Sequence, residues 1–193
     1  SMQVLFYGSS LAAAALLLYN AACGRLRAIR AYRGRDYARL IPLGLLGLFL
    51  YNLLLYIGID RMAAQDAFIL NYLWPIMTVV FSCIVLKEKL TGRTAVALAI
   101  SFVGVAVVLT KGNLAGFAVT DGVGVACSLA AAVCYGLFSA LNKRESGDPF
   151  VNMMLFHAAS AAVAGIDLAA TGALTLPAPG QIPGLLWVGV CVN

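Results

Sequence analysis

Asn71-Tyr72-Leu73-Trp74-Pro75 stands near the middle of an apolar run from about Ala63 to Leu86. That run is long enough to cross a bilayer as a helix. Pro75 has no backbone N–H, so within a helix the Asn71 carbonyl, four residues earlier, loses its partner. The Asn71 side chain is itself an amide with donors and an acceptor. A freed carbonyl, a polar amide and two amphipathic rings therefore meet near the membrane midplane. Lipid cannot satisfy those groups, so they must face other helices or a water-filled cavity. The chemistry on offer is reversible binding of a small molecule, with polar recognition by Asn71 and apolar contact or gating by Tyr72 and Trp74. The two rings lie roughly 100–200° apart around the helix axis, so they cannot both face one cavity squarely.

Other polar groups extend the picture. Asn71, Pro75, Thr78 and Ser82 form a single stripe along an otherwise apolar helix. Thr78 and Ser82 fit structural hydrogen bonding, which small hydroxyl residues provide routinely. Asp66, beside Gln65 near one end of the same run, reads equally as a first-turn anion favoured by the helix dipole and as part of a substrate path. Tyr51 and Asn52 sit near the middle of the preceding apolar run and are further candidates to line a site. Tyr56, Tyr135, Asn142 and Asn152 lie in or at the ends of other runs, and Asp167 reaches water. His157 is the single histidine. It reads either as a proton relay near neutral pH or as a neutral residue hydrogen-bonded between helices.

Enzyme signatures are missing: there is no HExxH, GxSxG, phosphate-binding loop or clustered acidic motif for Mg²⁺. Cys23, Cys83, Cys127, Cys134 and Cys191 form no CxxC pair and read as small packing residues. Neither a metal site nor a cofactor is expected.

The elements that position these groups follow from composition. Hydrophobic residues make up 62% of the chain and charged residues 11%, against about 25% charged in soluble domains. The net charge of +5 resides in short loops rather than on one basic face, which argues against nucleic acid as a partner. Apolar runs at roughly 2–22, 40–59, 63–86, 93–110, 121–141, 150–170 and from 183 onward predict an all-α, polytopic transmembrane helix bundle of about seven helices. Alternate loops hold eleven and two of the thirteen basic residues. The positive-inside rule places the arginine-rich segment from Arg25 to Arg39 in the cytoplasm, and Ser1 and the Asp66 end outside.

Leu5, Phe6, Ser10, Ala12 and Ala14 are echoed by Leu155, Phe156, Ser160, Ala162 and Ala164 at one offset. The echoing spans are five apart and cross in opposite directions, the pattern of an inverted repeat. On this reading residues 1–111 hold most of a first repeat without its first helix, and residues 112–193 begin a second whose last helices are missing. Gly124, Ser128, Ala132, Gly136 and Ala140, four apart, predict a seam for close helix packing, with a second copy of the chain as one further use.

The pentapeptide at residues 71–75, the turn Leu86-Lys87-Glu88-Lys89-Leu90 and the stretch Gly104-Val105-Ala106-Val107-Val108-Leu109 resemble the drug/metabolite transporter superfamily, EamA type. The Asn-Tyr-Leu-Trp-Pro form, the acid at Asp66 and the Tyr135 to Lys143 segment are similar to bacterial aromatic amino-acid exporters of that superfamily. The resemblance implies ten helices in a 5+5 inverted repeat around a central cavity, of which this chain carries helices two to eight. It also implies a secondary transporter of the bacterial inner membrane that moves small metabolites, amino acids first, by alternating access. Drug-like cations and nucleotide-sugar-type substrates are alternatives within that reading, and a lipid-modifying membrane enzyme is the alternative outside it. Proton coupling and a homodimer are compatible with it, and the lipid bilayer is its solvent.

Overall fold

A computed structural model describes residues 2–110, 112, 121–173, 175–177, 180, 182–187 and 189. Lys111 and Cys191 lie outside these. The described residues are helical and contain no strand. The helices are α1 (Met2–Ala22), α2 (Gly34–Arg61), α3 (Ala64–Val85), α4 (Gly92–Leu109), α5 (Gly122–Asn142), α6 (Pro149–Ala170) and the short α7 (Ile182–Trp187). Five of them, α1, α2, α3, α5 and α6, are long and apolar enough to cross a membrane. The protein is thus an integral, multi-pass membrane protein. Val96, Ile100 and Val103 on α4 and Ile84 on α3 are exposed, as side chains facing lipid tails are.

Two helices differ from their sequence outlines. α2 begins at Gly34, six residues before the apolar run, because its first turns are amphipathic. Leu40, Leu43 and Gly44 are buried while Arg35 and Arg39 are exposed. Asp36 accepts a hydrogen bond from the Arg33 backbone N–H at 2.7 Å and starts the helix. Further on, residues Leu45–Leu50 form a wider π-helical segment inside α2. α3 consists of two segments, Ala64–Asn71 and Trp74–Val85, joined through Tyr72 and Leu73.

The chain forms two compact units. One draws on residues up to Phe49 and from Glu145 onward; the other runs from Leu50 to Arg144. Each unit draws on both of the expected repeats, 1–111 and 112–193.

In the first unit α1 and α6 pack antiparallel. Ser9 Oγ donates to Ser160 Oγ at 3.2 Å, Phe6 lies where a Cβ on Gly165 would go, and Asn20 Nδ2 donates to the Phe150 carbonyl at 3.2 Å. The contacts run in opposite chain directions and cross near Ser9 and Ser160, inside the echoed segments. α2 packs on α6, with Gly44 so near Phe156 that a Cβ there would lie 2.7 Å from its Cα. At Gly189, beyond α7, the chain lies against Gly8 and Leu11 of α1 in the same manner. Each of the two echoed helices is therefore covered by a segment that follows the other one.

One end of this unit is clamped by polar contacts. Asp148 caps α6, accepting from the backbone N–H of Phe150 at 2.9 Å and Val151 at 3.3 Å. It also pairs with Arg25 at 2.9 Å, whose guanidinium lies 4.7 Å from the centre of the Phe150 ring. Burial alone would raise the Asp148 pKa; the Arg25 hydrogen bond and the two backbone N–H groups outweigh it and hold the carboxyl below its usual range. Tyr32 Oη donates to Asn152 Oδ1 at 2.6 Å and accepts from the Asp148 N–H at 3.2 Å. Its ring passes over Gly147 at φ +110°, where a side chain would be strained and would strike the hydroxyl.

In the second unit α5 packs against α2 and α3 through the small-residue seam. Gly124, Ser128, Ala132, Gly136 and Ala140 are all buried. Gly58 of α2 meets Ser128, and Gly136 meets the backbone of Met77 and Thr78. Asp121 caps α5, accepting from Val123 N–H at 2.7 Å and Gly124 N–H at 3.1 Å. Those backbone groups, with Arg61 added, hold its carboxyl below the ordinary range.

Candidate functional site

The site forms in the second unit, where the break in α3 meets the seam of α5. The first segment of α3 ends at Asn71. Tyr72 N–H still donates to the Phe68 carbonyl at 2.9 Å, and Leu73 N–H to the Leu70 carbonyl at 3.2 Å. The helix then restarts at Trp74, with Pro75 in its first turn. A proline is well tolerated there, because a first-turn N–H has no helical acceptor to lose. The sequence places Pro75 inside one continuous apolar run; the structure makes a two-residue joint, Tyr72 and Leu73, between two helical segments just before it. Pro75 still offers no N–H to the Asn71 carbonyl.

Asn71 is 5% exposed. Its Nδ2 donates to Tyr51 Oη at 3.2 Å, and its Oδ1 is buried with no hydrogen-bond partner among the described residues. Rotating the amide by 180° exchanges the two atoms. Whichever way it stands, one edge is satisfied by Tyr51 and the other is unmatched. An unmatched buried polar atom costs about 1–3 kcal/mol, which a bound polar group would recover.

Tyr51 links this amide to a cluster of rings. Tyr135 of α5 is the hub: its ring centre lies 4.8 Å from Tyr51 and 5.1 Å from Trp74, the latter edge-on at 82°. Phe138 supports it at 5.8 Å. Gly136 is what lets this arrangement form, since its missing side chain brings the α5 backbone onto Met77 and Thr78, one turn beyond Trp74. Thr78 Oγ1 bonds back to the Trp74 carbonyl at 2.9 Å. Ser82 is 2% exposed and accepts from Lys143 Nζ at 3.4 Å. Both hydroxyls are thus used within the fold.

Asp66 lies in the first turn of α3, five residues before Asn71, or about 7–8 Å along the helix. It is 8% exposed, and its carboxylate makes no hydrogen bond or ion pair with a described residue. Tyr72, at 36% exposure, is turned out of the ring cluster. Asn52 is half-buried on the helix that carries Tyr51. His157 belongs to the other unit, buried on α6 at 2% exposure, its Nδ1 without a partner among the described residues. Among the described residues no group of three or more His, Cys, Asp or Glu side chains could hold a metal ion.

The structure therefore brings Tyr51, Asn71, Trp74 and Pro75 together, with Asp66 on the same helix. Tyr135 is the residue that sequence reasoning undervalued. Its signal was its place beside Gly136, an aromatic next to the tightest point of a small-residue seam.

Residues 1–110 match the EamA-like transporter family. The chain belongs to that family. The uncharacterized transporter YyaM of Bacillus subtilis is 26% identical over 112 residues, covering 56% of this chain and 37% of that relative. No solved structure matches. The EamA-like match covers α1 to α4 and so includes Tyr51, Asp66, Asn71, Trp74 and Pro75. Tyr135, which completes the ring cluster, comes from the part of the chain beyond the matched EamA-like segment.

Proposed function

We propose that this EamA-like protein is a secondary transporter that exports small metabolites, amino acids foremost, across a bacterial inner membrane. The observation that carries the reading is the buried Asn71 amide with one edge unmatched at a helix joint, bonded to Tyr51 of the ring cluster that Trp74 and Tyr135 complete. An amino acid suits this chemistry: one polar end on the free edge of Asn71 and an apolar or aromatic side chain against the rings. Substrate would enter from each side in turn as the two inverted repeats rock against one another. The antiparallel packing of the echoed α1 and α6 segments supports that plan. A lipid-modifying enzyme finds no support here, since among the described residues no cluster of ionisable groups adjoins the site.

The test is thermal stabilisation of the purified protein in neutral detergent across amino acids, cationic drugs and nucleotide sugars, with Trp74→Ala alongside. Ligand that binds the folded state raises apparent stability by mass action, by about 2.7 kcal/mol at a hundred times Kd. A shift with aromatic amino acids that disappears in Trp74→Ala supports both substrate class and site. A shift with cationic drugs alone overturns the amino-acid assignment. A shift that survives Trp74→Ala moves the site elsewhere.

A further inference from the structure

The segment between α1 and α2 carries Arg25, Arg27, Arg30, Arg33, Arg35 and Arg39. Arg25 is committed to the fold through Asp148 and the Phe150 ring. The side chains of the other five are exposed and make no hydrogen bond or ion pair with a described residue. The only acid within the segment is Asp36, and its recorded partner is a backbone N–H. Such a density of unpaired positive charge is costly to assemble unless something neutralises it.

The local fold sorts these side chains. Residues Arg25–Ala31 form a 3-10 helix, in which residues three apart eclipse and rise about 6 Å per turn. Leu26 and Ile29 make one row and are half-buried, whereas Arg27 and Arg30 make another and are exposed. Arg35 and Arg39 form a second pair, one helical turn apart on the exposed face of α2. The Tyr32 and Arg25 contacts anchor the segment, so the guanidinium pairs are displayed from a fixed backbone. The segment joins two membrane-spanning helices, which sets it at the level of the lipid headgroups.

We propose that this segment is a binding site for anionic phospholipid headgroups, with Arg27 and Arg30 forming its centre and Arg35 and Arg39 a second contact. Guanidinium groups receive phosphate oxygens in a bidentate fork, and basic clusters next to a transmembrane helix bind anionic lipid at about a fivefold gain per residue. Two neighbouring pairs favour a headgroup with two phosphates over one with a single phosphate. The role is to seat this end of the first unit in an anionic leaflet, independent of what the protein transports.

Native mass spectrometry of the protein in neutral detergent, titrated with cardiolipin, phosphatidylglycerol or phosphatidylcholine, tests this. The expected order is cardiolipin, then phosphatidylglycerol, with phosphatidylcholine at least tenfold weaker. Arg27→Gln with Arg30→Gln should weaken cardiolipin binding by about 30-fold, and the lysine pair should recover part of it. Lys89→Gln with Arg93→Gln should change it little. Equal binding of charged and zwitterionic lipid, or an unaffected Arg27→Gln/Arg30→Gln protein, overturns the proposal. So does displacement of the lipid by millimolar inorganic phosphate, which would make this a free-anion site. The glutamine pair should keep its lipid-free melting temperature, because neither arginine has a partner among the described residues; failure to fold would also overturn the assignment.

Discussion

Gly136→Ala is a one-carbon perturbation that reaches the site through the backbone. A Cβ at Gly136 would lie 2.5 Å from Met77 Cβ, 2.8 Å from the Met77 carbonyl carbon and 2.8 Å from Thr78 N. Ordinary contacts begin at 3.4 Å, so α3 must withdraw by roughly 0.6–0.9 Å. No rotamer change relieves this, since two of the three atoms belong to the main chain. Overpacking of this kind costs about 1–3 kcal/mol, and the better helix propensity of alanine returns up to about 1 kcal/mol. The expected net cost is about 1–2 kcal/mol, or a fall of roughly 3–8 °C in apparent Tm for a chain of this size. Withdrawal also separates Trp74 from Tyr135, so ligand affinity should fall by about tenfold even where the protein remains folded. Gly104→Ala is the control, because a Cβ there meets nothing within 4 Å; it should be neutral or raise Tm slightly. Melting curves in detergent for both variants, with and without ligand, decide the matter. A Gly136→Ala protein as stable as Gly104→Ala would refute the claim that this glycine sets the spacing of α3 and α5.

Asn71→Leu removes the unmatched amide edge, so it should abolish ligand stabilisation while leaving the ligand-free Tm unchanged or higher; a large loss of ligand-free Tm would mean that the amide serves the fold instead. Asp148 has a depressed pKa in the folded state, so its stabilising contribution is present above the unfolded carboxylate pKa of about 3.9 and is lost as pH falls through the folded value. Melting of the wild type should therefore drop below about pH 4, and Asp148→Asn, which keeps a capping oxygen but loses the charge paired with Arg25, should flatten that limb at a cost of up to about 1 kcal/mol at neutral pH. Cys23, exposed beside the arginine segment, should resist a membrane-impermeant maleimide in intact cells and react in inverted vesicles, in a variant whose other cysteines are serine. The opposite pattern would reverse the orientation inferred from charge.

Much of the helical layout was legible because hydropathy and helix length are the same constraint in a bilayer. The runs at 2–22, 121–141 and 150–170 match α1, α5 and α6 to within a residue at each end. The start of α2 was missed for a physical reason: an amphipathic turn rich in arginine has low mean hydropathy, although Leu40 and Leu43 are fully committed to the core. The joint at Tyr72 and Leu73 was legible as an irregularity, because Pro75 announces a missing donor, but not as a restart of the helix. Of the candidate site, Asn71, Trp74 and Tyr51 were readable as polar or amphipathic groups deep in apolar runs. That Tyr51 bonds Asn71, and that Tyr135 joins both tyrosine and tryptophan, depends on packing across twenty and more than sixty residues of chain, which no local pattern encodes. His157 illustrates the converse: its residue type suggested a shared role, and its place in the fold gives it a different set of neighbours.

The wide turn at Leu45–Leu50 has a consequence for how α2 is read along its length. A π-helical turn holds an additional residue, so everything after it is rotated by about 100° relative to an unbroken α-helix. Tyr51, Leu55 and Gly58 all follow the wide turn and share one angular frame, which Gly58 fixes against Ser128 of α5. Tyr51 therefore meets Asn71 and Tyr135 through contacts that lie wholly after the wide turn. The ring cluster is built on a stretch of α2 that holds its own register, so loss of a residue between Leu45 and Leu50 should leave the pairing of Tyr51 with Asn71 in place.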